Sequence, residues 1–240
     1  FLDNDHIMDD LNGYLSFKNG MIIEADLESS FSKNEKIKLT IKSFSNEKIT
    51  TFYSDLAKPF VNRYEFIKGF EDGNLNFYSV KKNDTSDSKL VIDNFKVQKV
   101  PALAKLLTLA SLQGIADLLT GEGIRFSDFE MTFSNKNDSL RIDELYAIGP
   151  AISILMDGYI QKNELVSLRG TLVPATTINR TISSIPLIGN ILVGKKVGEG
   201  VFGVSFKIKG PPKKLKTTVN PVKTLTPRFI TRTIEKLKKN

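Results

Sequence analysis

The chain has no cysteine and no tryptophan, and its 240 residues include a single histidine. The lack of cysteine removes a thiol nucleophile and leaves the chain safe in an oxidising compartment. With one histidine there is no His pair at metal-binding spacing, and no Gly-x-Ser-x-Gly elbow is present. His6 itself lies among Asp3, Asp5, Asp9 and Asp10, residue types that can hold a metal or move a proton. The plainer expectation for such a cluster near a chain end is a solvated terminus. No unbroken apolar run reaches the roughly 18 residues that a membrane-spanning helix needs. The greasiest stretch, residues 101–120, is interrupted by Lys105, Gln113 and Asp117. There is no signal peptide with a basic and then an apolar region, and Phe1 is not an initiator methionine. The sequence is therefore expected to be a fragment or a processed product.

What is present is ordinary globular material. Hydrophobic residues make up 40% of the chain and the mean hydropathy is −0.14, which excludes a disordered composition. The length allows one long domain or two small ones. Sixteen phenylalanines, with frequent Ile, Leu and Val, favour strands. The net charge of +7 brings a nucleic-acid partner into consideration. The charge is uneven, however. Residues 207–240 are basic, and the first 28 are rich in Asp and Glu. A basic tail suits lipid headgroups as well as phosphodiesters.

Alternation predicts strands at 11–17, 21–27, 37–44 and 49–53, with Asn19-Gly20 as a two-residue hairpin turn. Residues 54–70 break the pattern. Ser54 is the expected cap of a short helix carrying Leu56, Phe60, Tyr64 and Ile67 on one face, with Pro59 in its first turn. Strands return at 75–80 and 89–97, separated by a polar turn over 81–88. Further strands follow at 124–133, 139–148, 152–160 and 165–173, joined by tight turns as an antiparallel meander. The phase of the apolar residues shifts near Ser127-Asp128, which predicts a bulge. Residues 177–185 read as a short helix, 194–200 as a flexible loop, and 201–209 and 215–219 as strands. A basic helix carrying Ile230, Ile234 and Leu237 ends the chain.

The central element is the stretch 101–120, read as one helix. Leu103, Leu106, Leu107 and Ala110 recur at helical spacing, followed by Leu112, Ile115, Ala116 and Leu119. Pro101 suits the first turn and Gly121 the C-terminal cap. An apolar arc this wide must dock on something greasy. It is either a lid packed on a sheet or the closure of one end of a lipid-binding groove.

No set of residues assembles an active site, and no cofactor is expected. Gly189 to Lys196 approaches a phosphate-binding loop, but Lys196 stands where Ser or Thr must hold magnesium. Asp143 and Glu144 are strand neighbours and point to opposite faces, so they cannot share a substrate. What remains is a long sheet with an apolar face that must be covered. About ten or more strands face only two or three helical segments. That shortage favours a curled, open sheet, although a closed barrel or a sandwich would also meet it.

Specific residues carry a family resemblance. The stretch 95–133, FKVQKVPALAKLLTLASLQGIADLLTGEGIRFSDFEMTF, resembles the C-terminal region of the large AsmA-like proteins of Gram-negative bacteria, in their YhdP-type branch. Gly149-Pro150-Ala151, Gly158-Tyr-Ile160 and Leu168-Arg-Gly-Thr-Leu-Val-Pro174 follow in the family's order. So do Ile185-Pro-Leu-Ile-Gly189, Gly198-Glu-Gly-Val-Phe202 and Val219-Asn-Pro221. Upstream, Tyr53-Ser-Asp-Leu-Ala57 and Gly69-Phe-Glu-Asp-Gly73 resemble the preceding element, with its usual glycine pair spread apart.

The resemblance implies the architecture of bridge-like lipid-transfer proteins: a mainly β fold, a long curled antiparallel sheet forming an open, taco-like groove, with a few short helices. The expected organisation is one elongated fragment. It has a strand-rich segment over 1–100 with a short helix near 55–68, an AsmA-like segment over 101–221 and a basic amphipathic tail over 222–240. The implied function is phospholipid transport between inner and outer membrane, without catalysis. The implied location is the periplasm, anchored in the inner membrane by an N-terminal helix outside this sequence. The expected lipid-binding residues are Ile124, Phe126, Phe129, Met131 and Phe133, then Leu140, Ile142, Ile152, Ile154 and Met156, then Phe202, Phe206 and Ile208. Leu106, Leu109, Leu112, Arg228, Arg232 and Lys236 are expected to meet a membrane surface or an envelope protein. The alternative is a scaffold or assembly factor for outer-membrane proteins, binding through sheet edges without carrying lipid. A nucleic-acid partner is not expected.

Overall fold

The computed structural model describes residues 6–32, 35–62, 69–174 and 203–222. Its first half contains β1 (Asp9–Lys18), β2 (Met21–Ser32), β3 (Glu35–Phe44), β4 (Glu47–Ser54), α1 (Lys58–Val61), β5 (Phe70–Lys82) and β6 (Thr85–Val97). Then come α2 (Pro101–Leu109), α3 (Gln113–Thr120), β7 (Ile124–Lys136), β8 (Ser139–Ile148), β9 (Ile152–Gln161) and β10 (Leu165–Pro174). β11 (Gly203–Gly210) and β12 (Lys216–Val222) complete the order. All twelve strands join one antiparallel sheet in sequence order. Among the described residues β1 and β12 are its two edges, so the sheet does not close into a barrel.

This topology sorts the connections onto two rims. The tips between β1 and β2, β3 and β4, β5 and β6, β7 and β8, and β9 and β10 lie at one end of the strands. The alternate connections lie at the other end, and α1, α2 and α3 all belong to them. One rim is therefore made of tight hairpins and the other carries the helices. The Asn19-Gly20 tip has φ of 52° and 73°, the left-handed pair that matches the twist of a hairpin.

The sheet curls towards the helices. β12 lies six strands from β6, which on a flat sheet is about 29 Å at 4.8 Å per strand. Yet α2, only about 13 Å long, leaves the end of β6 and touches β12, while α3 returns to β7. Gly170 permits close packing inside the curl. A Cβ there would stand 2.4 Å from the Leu155 carbonyl and 2.5 Å from the Phe206 ring. One connected core joins α2 and α3, through Leu106, Leu107, Ala116 and Leu119, to Phe95, Ile124, Phe126, Ile152 and Phe206 of the sheet. Phe60 of α1 packs edge-on against Phe52 of β4 at 4.7 Å, and also contacts Phe31 of β2.

Several local expectations are corrected. The stretch 101–120 forms two helices rather than one. Ser111 takes φ 57°, and the amides of Ser111 and Leu112 return to the carbonyls of Thr108 and Leu107. One straight helix of that length would run about 30 Å, whereas the break lets both halves bury their leucines in the same core. Gly121 caps α3 without a left-handed turn, and the residue that takes φ 92° is Gly123, whose amide returns to Leu118. Ser54 ends β4 instead of capping a helix, and its hydroxyl donates to the Leu56 carbonyl. α1 is a single turn, with Pro59 at its start as expected. The polar segment 81–88 is mostly strand, with only Asn83-Asp84 in the turn. Near Ser127 the phase does change, but the β6–β7 register stays matched because Asn94 and Ser127, opposite each other, both drop out of the pairing. The bulge falls on β8 instead, at Asp143-Glu144. The segments 177–185 and 194–200, the near phosphate loop at 189–196 and the basic helix at the end lie outside the described residues, as do Tyr64 and Ile67.

Candidate apolar groove

Side chains alternate between the two faces of each strand, so residues paired across strands share a face. Following the pairing outward from Phe129 traces one inner row: Ile37, Ser54, Leu75, Ile92, Phe129, Ala147, Ile154, Leu172 and Val204. The next row towards the hairpin rim reads Leu27, Leu39, Phe52, Phe77, Leu90, Met131, Leu145, Met156, Gly170, Phe206 and Val219. These two rows form a nearly continuous apolar strip across the sheet on the side covered by the helices.

Twelve of the thirteen expected lining residues lie on this inner face; Phe202 is outside the described residues. They do not share one environment. Ile124, Phe126 and Ile152, near the helical rim, are buried within the core that includes α2 and α3. Their cover is protein, so they are core rather than open lining. Phe206, Ile208 and Ile142 are also buried. Phe129, Met131, Phe133, Leu140, Ile154 and Met156 are only half-buried. The sequence reading missed the N-terminal half of the strip, where Leu39, Phe52, Phe77 and Leu90 are half-buried on the same face. Their alternation within β3 to β6 was the available signal.

The expected surface residues divide as well. Leu109 is 45% exposed, but Leu106 is 5% exposed and packs into the core, so it cannot meet a partner. Leu112 is half-buried against that core, where it starts α3. Arg228, Arg232 and Lys236 lie outside the described residues.

The outer face carries ion pairs between neighbouring strands. Lys38 pairs with Glu28 at 2.5 Å, Lys82 with Glu47 at 2.5 Å, Lys89 with Glu130 at 3.1 Å and Arg169 with Asp157 at 2.8 Å. All join neighbouring strands on the face away from the helices. The hydrogen bond from Lys38 holds the Glu28 carboxyl below its usual value and raises the lysine. Except for Glu130, whose side chain is 14% exposed, these groups are exposed or nearly so, and their pairs contribute little stability. Glu144, Tyr146, Ser153 and Val173 are buried on this same face.

No acid–base or metal constellation emerges among the described residues, where no group of three candidate ligands comes together. His6 packs edge-on against Phe31, with centroids 5.7 Å apart. Asp143 pairs with Arg141 at 2.9 Å, whereas Glu144 is buried, so the two neighbours sit in separate environments. A cleft of about 420 Å³ lies at the helical rim between Leu118, Ile124, Pro150 and Ala151. No described helix is long and apolar enough to cross a membrane.

No protein-family model, curated protein or solved structure matches this chain.

Proposed function

We propose that this chain is a segment of a phospholipid conduit, of the kind its likeness to AsmA-like proteins implies, working between two membranes of an envelope. The observation that carries the reading is the half-buried apolar strip on the inner face of one open, curled sheet. Phe52, Phe77, Leu90, Phe129, Met131, Ile154 and Met156 are apolar side chains that protein covers only in part. Leaving such a strip in water is unfavourable, and acyl chains would cover it, with about 0.8 kcal/mol gained per buried methylene. The strip is nearly continuous across the described strands, and its many similar apolar contacts suit cargo that must move.

Native mass spectrometry of the purified chain tests this directly. Co-purifying phospholipid is expected, and Phe129→Asp or Ile154→Asp should abolish its retention while circular dichroism stays unchanged. Full retention in both folded variants would remove the groove assignment.

The scaffold reading has one observation of its own. Leu11, Leu15 and Phe17 of the edge strand β1 are 61%, 43% and 59% exposed, and an apolar edge of this kind can accept another strand. A chain that binds strands of outer-membrane proteins but retains no lipid would favour that alternative.

A further inference from the structure

Resting on the conduit reading, we infer that the groove orients its cargo, with an anionic phosphate headgroup held at the hairpin rim by Lys48 and Lys81. The inner face is graded along β4 and β5. From the helical rim outwards, β4 presents Ser54, Phe52, Thr50 and Lys48, and β5 presents Leu75, Phe77, Ser79 and Lys81. Their registers match pair by pair, so the two strands change character together: Phe52 opposite Phe77, Thr50 opposite Ser79, Lys48 opposite Lys81. Each step of two residues is about 6.8 Å, which puts the lysines about 14 Å from the phenylalanines. Apolar, then hydroxyl, then cationic is the order of a phospholipid's tails, ester region and phosphate.

Lys48 and Lys81 stand opposite each other in register, a pairing of like charges that an anion would favour. Like charges directly across an antiparallel pair are destabilising, and their Cα atoms lie about 5 Å apart. The rest of that inner row is Ser43, Ser86 and Asn135, with no carboxylate to offset two cations. Glu47, the nearest strand acid, is on the outer face paired with Lys82. The Lys48 ammonium donates to the Ile22 carbonyl at 2.8 Å, which lays its side chain along the groove surface towards β2. That bond uses one of its three hydrogens and leaves two for an anion. Lys81 is exposed at the rim. A phosphate at the rim would accept from the free Lys48 hydrogens and from Lys81 reaching inwards.

The test is lipid retention by the full chain incubated with vesicles of pure phosphatidylglycerol or pure phosphatidylcholine, read by mass spectrometry. The wild type should retain more of the anionic lipid, by about fivefold per lysine. Lys81→Glu should remove that preference while phosphatidylcholine is still retained. Lys42→Glu, on the outer face near the same rim, should leave the preference intact. Retention of both lipids without preference, or a preference unmoved by Lys81→Glu, overturns the headgroup assignment and leaves the conduit reading standing. No retention of either lipid overturns both. Phosphorus NMR with inorganic phosphate separates the two sources of the anion. Binding of inorganic phosphate by a chain that retains no phosphatidylglycerol would assign the rim to a soluble anion and overturn the lipid orientation.

Discussion

Phe95 stacks on Phe126, with ring centroids 5.4 Å apart and planes within 16°. Phe70 continues the stack on the other side of Phe95 at 5.2 Å. The three rings join β5, β6 and β7 at the point where the helical insertion leaves and re-enters the sheet. Phe95→Ala should destabilise the chain by about 3–5 kcal/mol, because it opens a cavity under both helices. Urea unfolding at neutral pH measures this. A loss below about 1 kcal/mol would mean that the stack is not a structural joint.

Ser111 separates α2 from α3 with a left-handed backbone that a non-glycine residue adopts at a cost. Ser111→Gly should therefore stabilise the chain by up to about 1 kcal/mol, or roughly 2–4 °C in Tm. Ser111→Val should do the opposite. Calorimetry that finds Ser111→Gly no more stable than the wild type would mean that the left-handed backbone carries no such cost.

Gly170 is enclosed by the Leu155 carbonyl and the Phe206 ring. Gly170→Ala should cost about 1–3 kcal/mol as the curl opens. Shortening the ring in the double variant Gly170→Ala, Phe206→Leu should recover only part of the loss, since the carbonyl clash remains. Wild-type stability in Gly170→Ala would show that the strands have room to separate there.

Asp55 links β4 to β3. Its carboxylate accepts the Tyr53 hydroxyl and, at 2.7 Å, the Lys36 amide. The Tyr53 hydrogen bond first, and the Lys36 amide second, hold its carboxyl below the usual range. The unfolded chain, with an ordinary value of about 3.9, then takes up the proton more readily than the folded one. The stabilisation is complete above that value and is lost as pH falls through the lower folded value. The stability gap between wild type and Asp55→Asn should hold from pH 7 to pH 5 and shrink below about pH 4. A gap of equal size at pH 3 and pH 7 would contradict this origin.

The strands were legible from residues alone. Met21, Ile23, Ala25 and Leu27 alternate as a half-covered strand must, and Asn19-Gly20 permits only a tight turn. A polar stretch such as Thr85 to Ser88 gave no apolar signal, and backbone pairing with β5 and β7 extended the strand through it anyway. The inner-face positions from Phe129 to Met156 were also readable, because a period of two places them without further information. Whether each is sealed or open was not.

Among the described residues, the amino-acid pattern by itself determined where the strands run, their meander and which side chains share a face, since these follow from local alternation and turn chemistry. Tertiary structure decided the break at Ser111, the burial of Leu106 and the partial exposure of Met131. Those depend on where a helix comes to rest on a curled sheet, and that position is set by packing between residues far apart in the chain.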